Sequence, residues 1–475
     1  MGYEFLALEA GKMLPSVDEL HDACVRQLTQ LYCRDEVPWV IGFSGGKDSS
    51  AVVQLVYRML ADFPAGKRHK RVHVIASDTL VESPVVAAYL DETLDSMQRG
   101  ARAQDLPLSV TKVVPAPQET FWVMLLGRGY PSPNRFFRWC TERLKINPAT
   151  RYIQSEIDEW GSVIILLGAR KAESSSRAQV LENHHIAGSH LRRHATMPQA
   201  LVYAPIADWG THDVWSYLLV NEAPWAPELR LNSKLRELYR DGAGGECPLV
   251  IDKSTPSCGQ SRFGCWTCTV VDVDNSMEGF LEVGRQYEWM RPLAEYRNKL
   301  KSYRDDPSKR EKWRRNDPNR PRGWLHESGR QTSEQPTALD EDGYEMLGPF
   351  TLEVRMELLE ELLHLQKETG RTLIRPEEIE LIRRHWTEDY RVNEEAMLDI
   401  LERVYGPATR RRDHLREERG LLEEVCARHS VDVLVVDRLI DLERGYVTKL
   451  RKRNLFQALD GIIEEWAAGD GAGEC

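Results

Sequence analysis

The sequence lacks any run approaching the roughly 18 to 20 consecutive apolar residues that a membrane span requires, so no transmembrane helix is expected. Its first residues, MGYEFLALEAGKMLPSVDEL, carry neither a basic n-region nor an apolar h-region, so a signal peptide is not expected either. Gly2 opens no myristoylation pattern, because Leu6 stands where Ser or Thr is needed. The compartment expected from these absences is the cytosol, with no membrane partner. Positive charge is also short. The formal net charge of −11 speaks against indiscriminate coating of nucleic acid, although an average conceals local patches. Cysteine is sparse, nine in 475 residues, and in a reducing compartment these should be thiols, metal ligands or redox groups rather than disulfides.

What is present reads as a globular α/β chain. Hydrophobic residues make up 41% and charged ones 29%, and 475 residues exceed one ordinary core, so two or three domains are expected. Residues 17–33 have amphipathic helical spacing. Val37 to Phe43 is a short apolar run, a glycine-rich loop follows, and helical spacing resumes from Ser50 to Leu60. A second strand is expected at Val72 to Ala76, a third near Leu108 to Val114 and a fourth, buried, at Val163 to Leu167, joined by helical sequence such as Val85 to Met97. Strands alternating with helices imply βαβ units and a mostly parallel sheet, whose ligand sits beyond the carboxyl ends of the strands. The expected division is an N-terminal helical segment 1–35, a sheet domain 36–240, a Gly-, Pro- and Cys-rich loop 241–290, a basic segment and linker 291–345, and a helical C-terminal domain 346–475. Leu352 to Lys367 and Pro376 to His385 are the clearest helices of the last part.

The chemistry concentrates first in WVIGFSGGKDSSAVV. Glycines let a backbone turn its N–H groups onto an anion, and the helix that follows adds a favourable dipole. Ser44, Gly45, Gly46, Lys47, Asp48 and Ser49 are the expected phosphate cradle, with Lys47 and a Mg²⁺ neutralising ATP and Asp48 near that metal or positioning the loop. A Walker A loop is excluded, since it needs four residues between its glycines and then Lys-Ser/Thr. Here three residues separate Gly42 from Gly46, and Asp48 follows Lys47. The segment resembles instead the SGGxDS loop of the adenine-nucleotide α-hydrolases, a Rossmann-like superfamily whose members release pyrophosphate.

Three further segments resemble the PAPS reductase-like branch of that superfamily. Asp78-Thr79 matches a DT pair after the second strand, and Leu167-Gly168-Ala169-Arg170 with Glu173-Ser174 and Arg177 resembles a GxR…ES..R signature. YAPIADWGTHDVWSY, Tyr203 to Tyr217, resembles a P…DW…DVW.Y segment. The resemblance covers about residues 35–270 and implies nucleotide binding by Asp78, Gly168, Arg170 and Arg177, with Lys47, Asp48 and Arg170 catalytic. Two guanidiniums can clamp phosphate or sulfate oxygens in a bidentate way, and an ordinary ion pair is the plainer alternative.

Cluster-bearing members of the branch hold a [4Fe–4S] cluster with a cysteine pair before an RK..P segment and a later CxxC. RWCTERLKINP supplies one cysteine, Cys140, where the family has two, and GCWTC supplies Cys265 and Cys268. The fourth thiolate then comes from Cys258 or Cys247, and Cys258 is preferred because its C-x6-C-x2-C loop can wrap one cluster. Tetrahedral zinc is the alternative occupant, and thiols without metal are a third reading.

The likeness to the reductases breaks in two places. Their ECGxH element is absent, since Cys475 lies in GEC, and some 200 residues of basic and helical sequence are added. Between 291 and 322 there are twelve Lys or Arg against five Asp or Glu, with Tyr296, Tyr303, Trp313 and Trp324 interleaved. This combination resembles the ATP-cleaving sulfurtransferases of DNA phosphorothioation (DndC/SspD type). That resemblance implies DNA as substrate, a cysteine desulfurase as sulfur donor and further subunits of a DNA-modification complex. A PAPS or APS reductase, a tRNA thiolation enzyme and a purely regulatory nucleotide-binding subunit are the alternatives. The basic stretch serves either DNA contact or protein docking.

Overall fold

The computed structural model describes residues 17–173, 179, 186, 189–242, 263–312, 347–390, 392, 395–407, 422, 424–429, 431–447 and 455–470. Contacts divide the chain into two units, Met1–Asn393 and Glu394–Cys475.

In the first unit, helix α1 (Val17–Arg34) leads to strand β1 (Trp39–Phe43), whose five residues are all buried. Then come α2 (Lys47–Asp62), β2 (Val72–Ser77), α3 (Pro84–Ala103) and β3 (Leu108–Val113). After two π-helical turns, α4 (Asn147–Trp160) precedes β4 (Val163–Leu166), and two short strands follow, β5 (Arg192–Arg193) and β6 (Ala200–Tyr203). The sheet order is β3-β2-β1-β4-β6-β5. All pairings are parallel except β5 with β6, so the expected mostly parallel α/β sheet is present.

The expected strands fall within a residue or two of the observed ones; β1, β2 and β4 are buried and largely apolar, as parallel strands must be when both faces are covered, whereas the edge strand β3 mixes polar residues and is only partly buried. Val40, Ile75 and Ile165 from three strands meet Ala149, Ile153 and Ile157, spaced four apart on α4, in one buried cluster. Each fully buried aliphatic side chain of this kind stabilises the fold by about 1.5–3 kcal/mol.

The order of strands has a direct consequence. The chain runs outward from β1 to β2 and β3, then returns to place β4 on the other side of β1. The carboxyl ends of β1 and β4 therefore flank the crevice where strand order reverses, the place where open α/β sheets bind ligands.

The helical region expected over 346–475 is split. Helices Leu352–Thr369 and Pro376–Tyr390 belong to the first unit and pack on the π-helical turn Val123–Gly127. Trp122 Nε1 donates to the Leu373 carbonyl (2.7 Å), Trp386 Nε1 to Leu126 (2.8 Å), and the buried Arg355 Nη1 to Gly127 (2.9 Å). Periodicity revealed the apolar faces of these helices but not what covers them. The second unit contains Glu395–Tyr405 and the pair Val433–Val447 and Leu455–Asp470, which pack together. Among the described residues no helix is long and apolar enough to cross a membrane.

Much of the basic stretch holds this architecture together. Its described part includes the helix Arg291–Asp305. Arg297 donates to the carbonyls of Cys268 (2.7 Å), Val271 and Asp272 (3.0 Å). Arg310 donates to Gly348 (2.7 Å), Arg304 (3.0 Å) and Leu347 (3.2 Å), and burial pushes its guanidinium down to about 10. Lys299 pairs with Glu357 (2.8 Å) and Glu361, while Tyr296 is buried with its hydroxyl on the Leu358 carbonyl (2.8 Å). Trp313, Arg314, Arg315 and Trp324 lie outside the described residues.

Candidate functional site

The loop Ser44-Gly45-Gly46 joins β1 to α2 at the switch point. Gly45 has φ +73°, a left-handed conformation that side chains with a Cβ rarely adopt, and an added Cβ would lie 3.2 Å from Leu90 Cδ1. The two serines lock the turn. Ser49 Oγ accepts from Ser44 N (3.2 Å) and donates to the Gly46 carbonyl (3.0 Å), and the two hydroxyls lie 3.1 Å apart. The first turn of α2 therefore presents its backbone N–H groups at a preset geometry, the arrangement that receives phosphate.

Lys47 and Asp48 open α2 at 5% and 4% exposure. Lys47 Nζ pairs with Asp48 Oδ2 at 2.8 Å, and Arg170 Nε reaches Asp48 Oδ1 at 2.5 Å. Arg170, 2% exposed, comes from the loop after β4, with Glu173 Oε1 3.9 Å from its Nε. Its Nη1 also lies 3.3 Å from Thr211 Oγ1 and 3.4 Å from the Trp209 carbonyl. Asp213 caps that segment by accepting from Gly210 N (2.7 Å). Arg170 thus joins two separated segments, pairing with the buried Asp48 carboxylate of one and donating to the Trp209–Thr211 segment of the other. Gly168 makes the approach possible. A Cβ there would sit 2.7 Å from Asp48 C and Ser49 N, so only a residue without a side chain lets the β4 loop lie against the start of α2.

Asp78 stands at the end of β2. Its Oδ1 accepts from Leu80 N (2.8 Å), and its Oδ2 pairs with Lys112 Nζ (2.9 Å). The next residues meet the cysteine segment: Thr79 Oγ1 lies 3.3 Å from Cys265 Sγ, Glu82 and Cys265 form an isolated antiparallel bridge, and Trp266 N donates to the Val81 carbonyl (3.0 Å). Cys268 N donates to the Cys265 carbonyl (3.0 Å), closing the Cys-x-x-Cys turn. Cys140 precedes the π-helical turn Thr141–Ile146, which carries Lys145, 3.9 Å from Glu82. Among the described residues no group of three or more His, Cys, Asp or Glu is placed to hold a metal ion. Cys247, Cys258, Ser174 and Arg177 lie outside the described residues. Cys24 takes no part: its thiol donates to the Pro205 carbonyl (2.9 Å), and burial pushes it up to about 12.

Residues 38–271 match the phosphoadenosine phosphosulfate reductase domain. The matched span contains the glycine loop, Arg170 and the cysteines at 140, 258, 265 and 268. An uncharacterized protein of Methanocaldococcus jannaschii is 24% identical over 305 residues, 61% of this chain and 51% of that protein. An adenosine 5'-phosphosulfate reductase of Neisseria meningitidis is 30% identical over 105 residues, 22% of this chain and 32% of that protein. The chain thus spans between about a third and a half of the length of these curated relatives. Among solved structures, the PAPS reductase of Candida auris in a phosphate complex is 17% identical with a TM-score of 0.29, covering 46% of this chain and 94% of that one. An NH3-dependent NAD synthetase of Campylobacter jejuni is 14% identical with a TM-score of 0.28, covering 48% and 79%.

One further residue belongs to this site. Tyr239, on the helix Leu231–Asp241, accepts a hydrogen bond from Lys47 N at 3.1 Å, with Lys47 Nζ 5.8 Å from its ring centre. Its hydroxyl takes up an N–H at the start of α2. Tyr239 lies 192 residues from Lys47 in an ordinary amphipathic helix, and no local signal marks it. Tyr239→Phe is expected to tighten binding of a non-hydrolysable ATP analogue about fivefold, the worth of one neutral hydrogen bond. Isothermal titration calorimetry checks this, and weaker binding would mean that the hydroxyl contacts the nucleotide.

Proposed function

We propose that this chain is an ATP-cleaving sulfurtransferase that activates a DNA backbone phosphate for replacement of a non-bridging oxygen by sulfur. The observation that carries the reading is the buried Lys47–Asp48–Arg170 cluster beside the glycine loop at the sheet's switch point. ATP lays its phosphates on the N–H groups of the loop, and Lys47 and Arg170 exchange part of their contact with Asp48 for phosphate oxygens. Asp48 is thereby freed toward the Mg²⁺ that accompanies ATP. A non-bridging oxygen of the DNA phosphate attacks the α-phosphorus, and the bond to the β-phosphate oxygen breaks, releasing pyrophosphate. The adenylated oxygen now departs as AMP, a far better leaving group than oxide. The terminal sulfur of a persulfide supplied by a cysteine desulfurase attacks the DNA phosphorus as AMP leaves, and a thiol reductant then cleaves the resulting sulfur–sulfur bond, leaving sulfur on the phosphate and forming a disulfide. The DNA substrate rests on the resemblance of the motifs and on the added basic and helical sequence. The likeness to the Neisseria reductase favours a second reading, reduction of a sulfonucleotide, which releases no pyrophosphate from ATP. Mass spectrometry of DNA nucleotides from cells with and without this chain tests the proposal: sulfur-containing dinucleotides that vanish with the chain support it, and their absence from both contradicts it.

The thiolates of Cys140, Cys265 and Cys268, with Cys258 or Cys247, are proposed to hold a [4Fe–4S] cluster. The closed Cys-x-x-Cys turn offers two of the four thiolates such a group takes. The cluster would supply redox chemistry or a route for sulfur. Anaerobically purified protein is expected to contain about four iron and four sulfide per chain, with absorbance near 400 nm. Stoichiometric zinc in a colourless protein would overturn this assignment.

A further inference from the structure

We infer that the loop Asn134-Arg135-Phe136-Phe137-Arg138 is a base-stacking finger for single-stranded DNA, an inference that rests on the DNA reading above. Phe136 is 99% exposed, an unusual fate for an aromatic ring on an ordered turn. The turn is built by Asn134, whose Oδ1 accepts from Phe136 N (2.9 Å) and Phe137 N (2.7 Å). Its root is pinned from three sides. Thr269 Oγ1 and Arg304 Nη1 both donate to the Pro133 carbonyl (2.7 and 2.8 Å), Ser132 Oγ donates to Leu300 (2.9 Å), and Trp139 Nε1 donates to Pro131 (2.9 Å). Phe137 stacks on Tyr130, with 5.9 Å between centroids at 12°, and Arg143 lies over the other ring at 5.4 Å. A rigid base thus carries an outward ring.

The charges around it select the partner. Residues 130–138 contain Arg135 and Arg138 and no acidic residue, and the nearest carboxylate to Arg135, Asp272, is 3.8 Å away and shared with Lys301. An aromatic face flanked by guanidiniums matches an unpaired base between two phosphates. Three arginines of the basic stretch, Arg297, Arg304 and Arg310, are less suited to that task because they are spent on backbone carbonyls. The root of the finger is tied to the cysteine segment. Thr269, which holds Pro133, follows the Cys265–Cys268 turn directly, and that turn is docked on the loop after β2.

The test measures fluorescence anisotropy of a labelled single-stranded DNA and of its duplex with the full chain at several salt concentrations. Phe136→Ala should weaken single-strand binding about tenfold or more without changing the salt slope, because stacking releases no counterions. Phe136→Trp should restore it, and Arg135→Ala should flatten the slope by about 0.7. Pyrophosphate release from ATP without DNA should be unchanged in all three, because the glycine loop is elsewhere. Wild-type affinity in Phe136→Ala overturns the finger, as does loss of a protein partner with DNA binding intact. A wild-type chain that binds no DNA while cleaving ATP overturns the DNA reading itself.

Discussion

Lys47→Met is expected to lower pyrophosphate release from ATP by about 10²–10³-fold while leaving the protein folded, the usual consequence of removing one preorganised electrostatic contact to the transition state. The folded state should survive because Asp48 keeps Arg170 at 2.5 Å as its counterion. Asp48→Ala should behave differently. It leaves the Lys47 ammonium and the Arg170 guanidinium buried together without the carboxylate both contact, and stripping one partner from a buried ion pair costs about 3–5 kcal/mol. That variant should lose both activity and thermal stability. Thermal melts beside a pyrophosphate assay separate the two cases. Equal destabilisation by both substitutions would show that Lys47 is structural, and an active Lys47→Met would remove it from the phosphate site.

Gly168→Ala is the second large effect. The new methyl group would meet Asp48 C and Ser49 N at 2.7 Å and the Asp48 carbonyl oxygen at 2.9 Å. These are backbone atoms of a helix, so no side chain can swing aside. The β4 loop must retreat, and Arg170, two residues on, retreats with it. Overpacking of this kind costs about 1–3 kcal/mol, and a displacement near 1 Å at a catalytic constellation is enough for about a 10²-fold loss of rate. Gly161→Ala serves as the contrast: its Cβ would meet no atom within 4 Å, although φ of +79° strains the backbone there. Its cost should appear in stability and not in nucleotide affinity. If Gly168→Ala binds and cleaves ATP normally, the close approach of the two loops is not required for function.

The sheet and the site differed in how far the sequence revealed them. The central strands were legible because they are buried and largely apolar, and the loop from Ser44 to Ser49 because its glycines stand between a strand and a helix. The start of α2 was placed at Ser50, three residues late, because Lys47, Asp48 and Ser49 are polar yet buried in its first turn. Burial of charge that is satisfied by a distant partner leaves no trace in hydrophobic periodicity. For the same reason the motifs pointed to Arg170 but not to its contact with Asp48, and nothing pointed to Tyr239. The basic stretch misled in another way. A run of Lys and Arg reads as a surface, yet Arg297 and Arg310 are buried donors to carbonyls, where a guanidinium can serve several acceptors at once.

The most direct test of the account is the product of ATP turnover. Purified protein incubated with ATP and Mg²⁺, with and without single-stranded DNA, should yield AMP and pyrophosphate by phosphorus NMR, with the yield falling in Lys47→Met. ADP and inorganic phosphate from the wild type would contradict the claim that this loop directs attack to the α-phosphorus.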